Sequence, residues 1–230
     1  EKGCVVVMEV SSGDILGLAS FPGYTADTLE EAIQDPDSPM INRALYAYPV
    51  GSIFKLVTAA CAKDSELADT FQWDCTGTIS VEGQLFRCHD DQGHGRQTMP
   101  LAMRNSCNPF FIQLSQRLSG AALRQTAKAL GFGQEIPLTT GQVASSGTLP
   151  TLQQLQLPAE RANFGFGQGI LTATPLQITR MTCAIAGDGT LPEVRLVRGI
   201  TEDGRNVLRE SSARHSQGIS AETAAYLRSL

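Results

Sequence analysis

Residues 52–63 constrain this chain more than any other stretch. Ile53, Phe54, Leu56, Val57, Ala59, Ala60 and Cys61 make a helix here apolar nearly all round. Such a helix has no face for water and belongs in the middle of a core. A chain of 230 residues is long enough to build that core as one large domain or two small lobes. With 42% hydrophobic and 18% charged residues, it reads as globular rather than disordered. One residue contradicts its setting: Lys55 is the only charge between Arg43 and Lys63. An ammonium inside an apolar helix is costly unless it is paired or neutralised. Burial lowers a lysine pKa, and a neutral amine can take a proton.

Ser52 stands where such an amine would be useful. Tyr48-Pro49-Val50-Gly51 forces a turn, and Ser52 then opens the helix, near the partial positive charge of its N-terminus. Lys55 follows one turn later on the same face, within reach of the hydroxyl. A serine beside an amine base is an arrangement for nucleophilic acyl transfer. The spacing alone is weak, because 17 serines and 4 lysines give about 0.3 such pairs by chance. A lysine snorkelling from the rim of a core helix is the bland reading. The turn before the pair and the apolar run after it favour the chemical one. A second constellation, Ser106-Cys107-Asn108, falls between two predicted helices. There a hydroxyl could relay a proton and a carboxamide could hold a substrate amide. Read alone, Asn108 before Pro109 is an ordinary helix start.

Around these residues the chain opens on a hairpin, strands 4–10 and 15–21 joined by Ser11-Ser12-Gly13-Asp14. Residues 22–39 form a polar, Asp-rich surface loop with some helix. Further helices are predicted over 100–104, 109–118, 121–130 and 175–186. The last has Thr174 as N-cap, Pro175 at its first position and Gly187 as its stop. Residues 135–157 read as an exposed excursion, 193–200 as a strand, and a final helix starts at Ser220. Strands at both ends with helices between them predict an α+β class, a helical lobe inserted into an antiparallel-sheet lobe.

Several functions are excluded. The net charge of −5 and the lack of a long basic run argue against a nucleic-acid surface. No run approaches the roughly 18–20 apolar residues of a membrane span. With no signal peptide and Glu rather than Met at residue 1, the chain is either cytosolic or a piece of something longer. Of the six cysteines, Cys75 and Cys88 flank an alternating run, 78–86, with a central glycine. A hairpin there could bring them within disulfide distance. His89 and His94 make a metal site the competing reading, but the spacings fit no standard zinc pattern, so no metal is expected. A reduced pair is the third reading, preferred in a cytosolic protein.

Taken together, Ser-x-x-Lys on a buried helix and Ser-x-Asn about fifty residues on resemble the penicillin-binding proteins and serine β-lactamases. The resemblance extends over essentially all 230 residues. Val5 to Pro22 is similar to the opening hairpin of the transpeptidase domain, and Asn42-Arg43-Ala44 to the approach to the serine turn. Asn163-Phe-Gly-Phe-Gly-Gln-Gly169 and Thr172-Ala-Thr-Pro-Leu-Gln177 resemble the stretch before the last active-site strand in monofunctional, class B members. The resemblance implies a β-lactamase/transpeptidase-like fold and no cofactor. Ser52 would attack the D-alanyl-D-alanine end of a peptidoglycan stem peptide. Lys55 would act as its base, Ser106 would return a proton and Asn108 would bind the peptide amide. β-Lactams would trap Ser52. A membrane anchor, a glycosyltransferase partner and an extracytoplasmic site are further implications, and that compartment favours a Cys75–Cys88 disulfide. None of the four lysines is followed by the Thr/Ser-Gly of the family's third motif. The resemblance therefore implies an incomplete sheet, truncation before that strand and weak activity of this chain alone, since one oxyanion donor is worth about 10²–10³ in rate. A serine β-lactamase, with Glu160 activating water, and a non-catalytic β-lactam sensor are the alternatives.

Overall fold

The computed structural model describes residues 1–139 and 141–230; Thr140, in the predicted 135–157 excursion, lies outside the described residues. The opening hairpin forms as its alternation predicts. β1 (Gly3–Met8) runs antiparallel to β2 (Ile15–Phe21), with Gly3 opposite Phe21 and Met8 opposite Ile15. Val5, Val7 and Leu16 face out, while Val6, Met8 and Ile15 pack inward against Leu176 and Cys183. α1 (Leu29–Gln34) is the short helix expected in the 22–39 loop.

β3 (Tyr48–Pro49) leads into a 3-10 turn, Gly51–Phe54, and then α2 (Lys55–Asp64). The predicted helix starting at Ser52 thus begins with one tighter turn, a common form of helix N-terminus. From Val57 to Ala62 every residue of α2 is buried. Next come two nested hairpins. β4 (Trp73–Cys75) pairs with β7 (Gly95–Gln97), and between them β5 (Thr78–Val81) pairs with β6 (Gln84–Arg87). α3 (Met99–Arg104), α4 (Asn108–Arg117) and α5 (Gly120–Ala129) match the predicted helices within one or two residues.

The 135–157 stretch departs from expectation. It forms β8 (Ile136–Thr139) and β9 (Gln142–Ala144), and Ile136, Ala144 and Leu155 are buried, so its apolar residues override a polar composition. α6 (Pro158–Gly165) is a further helix that the glycines after it concealed. β10 (Thr172–Ala173) pairs with β3. α7 (Pro175–Ala186) has the predicted limits, with Thr174 and Gln177 closing a reciprocal capping box. The predicted 193–200 strand is also corrected. Arg195 instead forms a lone bridge to Asp14 and an ion pair with its carboxylate. β11 (Leu191–Pro192) pairs with β14 (His215–Ser216), and β12 (Gly199–Thr201) with β13 (Val207–Glu210). α8 (Ala221–Arg228) starts at Ser220, whose hydroxyl accepts from Thr223 N–H.

The class is α+β, with small antiparallel pairs around a helical centre. α2 lies among α4, α5 and α8. Phe54, immediately before Lys55, is fully buried, with ring centroids 5.3 Å from Phe132 and 4.7 Å from Phe164. Each such buried ring stabilises by about 1.5–3 kcal/mol. The end of α2 that presents Ser52 and Lys55 is therefore firmly anchored.

Candidate active site

Ser52 projects from a turn held on two sides. Pro49 lies opposite Thr172 and Tyr48 opposite Ala173 in the β3–β10 pair. Behind the turn, the Gly51 N–H donates to the Gly167 carbonyl at 2.9 Å. Gly167 has φ 87°, and a Cβ there would stand 1.9 Å from the Gly51 oxygen. Only glycine gives both the left-handed backbone and that approach. One turn further back, Thr58 Oγ1 donates to the Gly165 carbonyl at 2.7 Å. The glycine-rich segment thus backs the Ser52 turn directly.

Ser52 is exposed while Lys55 is 1% exposed. The 3-10 turn and the start of α2 put the two side chains together, with Lys55 Nζ donating to Ser52 Oγ at 3.2 Å. Nζ also donates to the Ser106 carbonyl at 2.7 Å, Ser106 Oγ at 2.9 Å and Asn108 Oδ1 at 2.8 Å. The Phe111 ring centroid lies 5.7 Å away. None of these partners is a carboxylate. Burial accordingly dominates and draws the Lys55 pKa down from 10.5 to about 8, with the Cys107 and Cys88 sulfurs pulling the other way.

The Ser106–Asn108 arm gets its shape from the end of α3. Ser106 takes a left-handed φ of 47°, and its N–H and that of Cys107 close back on the Met103 and Ala102 carbonyls. Cys107 becomes the residue before α4, and Asn108 is its first helical residue rather than the cap expected from sequence. The Asn108 side chain is free to face Lys55 and to donate from Nδ2 to the Arg87 carbonyl at 3.1 Å. Ser52, Lys55, Ser106 and Asn108, more than fifty residues apart at the extremes, therefore meet at one point. Cys75 and Cys88 come together beside it as free thiols, next to His94 and Cys107. The Ser106 and Arg87 carbonyls went unread in the sequence, since a backbone oxygen leaves no residue-type signal.

The model of the penicillin-binding protein transpeptidase domain matches residues 3–230. The chain belongs to this family. Stage V sporulation protein D of Bacillus subtilis is 32% identical over 97% of this chain and 34% of its own length. The peptidoglycan D,D-transpeptidase PbpA of Mycobacterium tuberculosis is 30% identical over all of this chain and 50% of its own. The chain thus spans a third to a half of the length of these curated relatives. Among solved structures, the ceftriaxone acyl-enzyme of M. tuberculosis penicillin-binding protein A superposes with TM-score 0.87 at 28% identity, over 97% of this chain and 54% of that one. A D,D-transpeptidase domain from Eggerthella lenta gives TM-score 0.89 at 27% identity, over 99% and 59%.

Proposed function

We propose that this chain carries the acylation machinery of a serine D,D-transpeptidase that cross-links peptidoglycan stem peptides and is inhibited by β-lactams. The observation that carries the reading is the exposed Ser52 hydroxyl 3.2 Å from a buried lysine amine that is itself held by Ser106 and Asn108. Neutral Lys55 takes the Ser52 proton as Oγ attacks the carbonyl between the last two D-alanines. A tetrahedral oxyanion forms and collapses to an ester on Ser52, and D-alanine leaves with a proton relayed through Ser106. An amine from a neighbouring stem attacks the ester and restores the serine. The Ser52 N–H, at the open end of the 3-10 turn, is suited to receive the oxyanion. Asn108, fixed by Lys55 and Arg87, is suited to hold the peptide amide.

The transpeptidase names of the relatives and the acyl-enzyme neighbour support this reading. On the same grounds the whole protein works on the outer face of the cytoplasmic membrane beside a glycosyltransferase. One structural neighbour is described as a peptidoglycan synthase complex that coordinates polymerization and crosslinking. No helix among the described residues is long and apolar enough to cross a membrane. Intact mass after incubation with penicillin tests the assignment. In protein that also carries the family's third motif, the native form gains one penicilloyl adduct and Ser52→Ala gains none; an adduct on both, or on neither, sinks it. Lasting acylation rather than nitrocefin turnover separates this reading from a β-lactamase.

A further inference from the structure

Beside the Ser106–Asn108 arm lies a group of side chains to which the proposed chemistry gives no task. Cys75 ends β4, Cys88 follows β6, His94 precedes β7, and Cys107 sits between Ser106 and Asn108. Their ligand atoms all lie within 4.8 Å of one another. Cys75 Sγ is 3.7 Å and Cys88 Sγ 3.5 Å from His94 Nδ1. Tetrahedral zinc, with bonds of about 2.3 Å to sulfur and about 2.0–2.1 Å to nitrogen, separates its S and N ligands by about 3.6 Å. The two distances straddle that value. The three thiols are 1%, 6% and 0% exposed, so the sulfurs are already withdrawn from water. A disulfide would use two of them and leave the third thiol and the imidazole without a role. Three sulfurs and one nitrogen around a common centre are a complete structural-zinc donor set.

The backbone is shaped to make them converge. At Gly93, φ 80°, a Cβ would stand 2.2 Å from the Cys75 carbonyl oxygen and 2.6 Å from the Gly77 nitrogen. The loop carrying His94 therefore touches the Cys75 turn backbone to backbone. The Cys88 N–H donates to the Gly77 carbonyl at 2.8 Å, which brings the third ligand to the same turn.

We propose that Cys75, Cys88, His94 and Cys107 bind one zinc ion that ties the Ser106–Asn108 arm to the β4–β7 and β5–β6 hairpins. On binding, each thiol gives up its proton to solvent and the imidazole coordinates in its neutral form. Because Cys107 lies between the two residues that hold Lys55, the ion fixes their backbone from behind. It works alongside the Asn108 bond to Arg87, the neighbour of Cys88. Sequence spacing hid the set: 75, 88, 94 and 107 fall on four segments, and Cys107 is read first as the middle of Ser-x-Asn.

The test is elemental analysis of protein purified reduced and without chelators, followed by cobalt substitution. About one zinc per chain is expected, and cobalt should give the intense visible bands and thiolate charge transfer of a tetrahedral sulfur-rich site. Cys88→Ser and His94→Ala should lose the metal, while Cys4→Ser and Ser52→Ala should keep it. The Ser52→Ala arm separates this proposal from the functional one, since its metal content does not depend on acylation. Stripping the native protein should slow acylation by a fluorescent penicillin on the order of 10–100-fold, with recovery on adding zinc. Reduced, folded protein that takes up neither zinc nor cobalt overturns the site, as does a Cys75–Cys88 disulfide that persists with metal present. Acylation unchanged by stripping overturns the bracing role. If the variants fail to fold, the native cobalt spectrum decides.

Discussion

Ser106 meets Lys55 twice, through its carbonyl at 2.7 Å and its hydroxyl at 2.9 Å, from a left-handed backbone at φ 47°. The two contacts can be separated by mutation. Ser106→Gly keeps the carbonyl and suits the backbone, while it removes the hydroxyl. Its stability should stay within about 1 kcal/mol of native by thermal unfolding. Its acylation by a fluorescent penicillin should fall about 10–100-fold if the hydroxyl relays the proton.

Lys55→Met should cost about 10²–10⁴ in acylation rate, the usual range for a general base. Lys55→Arg should not rescue it, because a guanidinium stays protonated and is the wrong shape for these oxygens. Stopped-flow acylation on both variants checks this.

The pH dependence follows from the burial that draws Lys55 to about 8. Below that pH the protonated amine cannot accept the Ser52 proton, so acylation should rise with pH and level off above about 8. Stability should move the same way. Between about 8 and 10.5 the unfolded chain holds the Lys55 proton and the native chain does not, so unfolding free energy rises with pH across that window. Native stability minus that of Lys55→Met, measured by denaturant melts from pH 7 to 11, isolates the contribution; a difference independent of pH sinks it.

Asn108→Asp puts a carboxylate 2.8 Å from the amine without changing the shape of the arm. An opposite charge at that distance favours the protonated amine. The midpoint of the acylation profile should shift to higher pH, with the rate near neutrality falling at least tenfold.

Gly167→Ala tests the backing of the Ser52 turn. A methyl group 1.9 Å from the Gly51 oxygen, on a φ 87° backbone, forces the two segments apart. A loss of more than about 1 kcal/mol in stability is expected, with a larger fall in acylation than in binding of a non-covalent substrate analogue. Equal loss of both would mean global damage instead.

What the sequence showed and concealed has a physical pattern. The apolar run of α2, the opening hairpin and the capping box at Thr174 are local, so periodicity and cap chemistry revealed them. Ser52 and Lys55 were readable for the same reason, being one turn apart on one helix. The burial of Ile136, Ala144 and Leu155 depends on what packs over them, and a polar composition disguised it. α6 carried a readable start in Pro158 and Glu160, but the glycines beyond it drew attention to the loop. Cys107 is the sharpest case. Its role depends on three residues from two other hairpins, and nothing in its own neighbourhood names them.

The four oxygens around Lys55 have one more consequence. A protonated amine has three hydrogens to share among them. Asn108 Oδ1 takes one, the two Ser106 oxygens can divide a second, and the longest contact, 3.2 Å to Ser52, is left the third. When the ammonium gives up a proton, the hydrogen it loses at least cost is the loosest one. The electron pair then opens toward Ser52 and nowhere else. The neighbours of Lys55 thus do more than hold it in place: by occupying its other directions, they decide which way the base points.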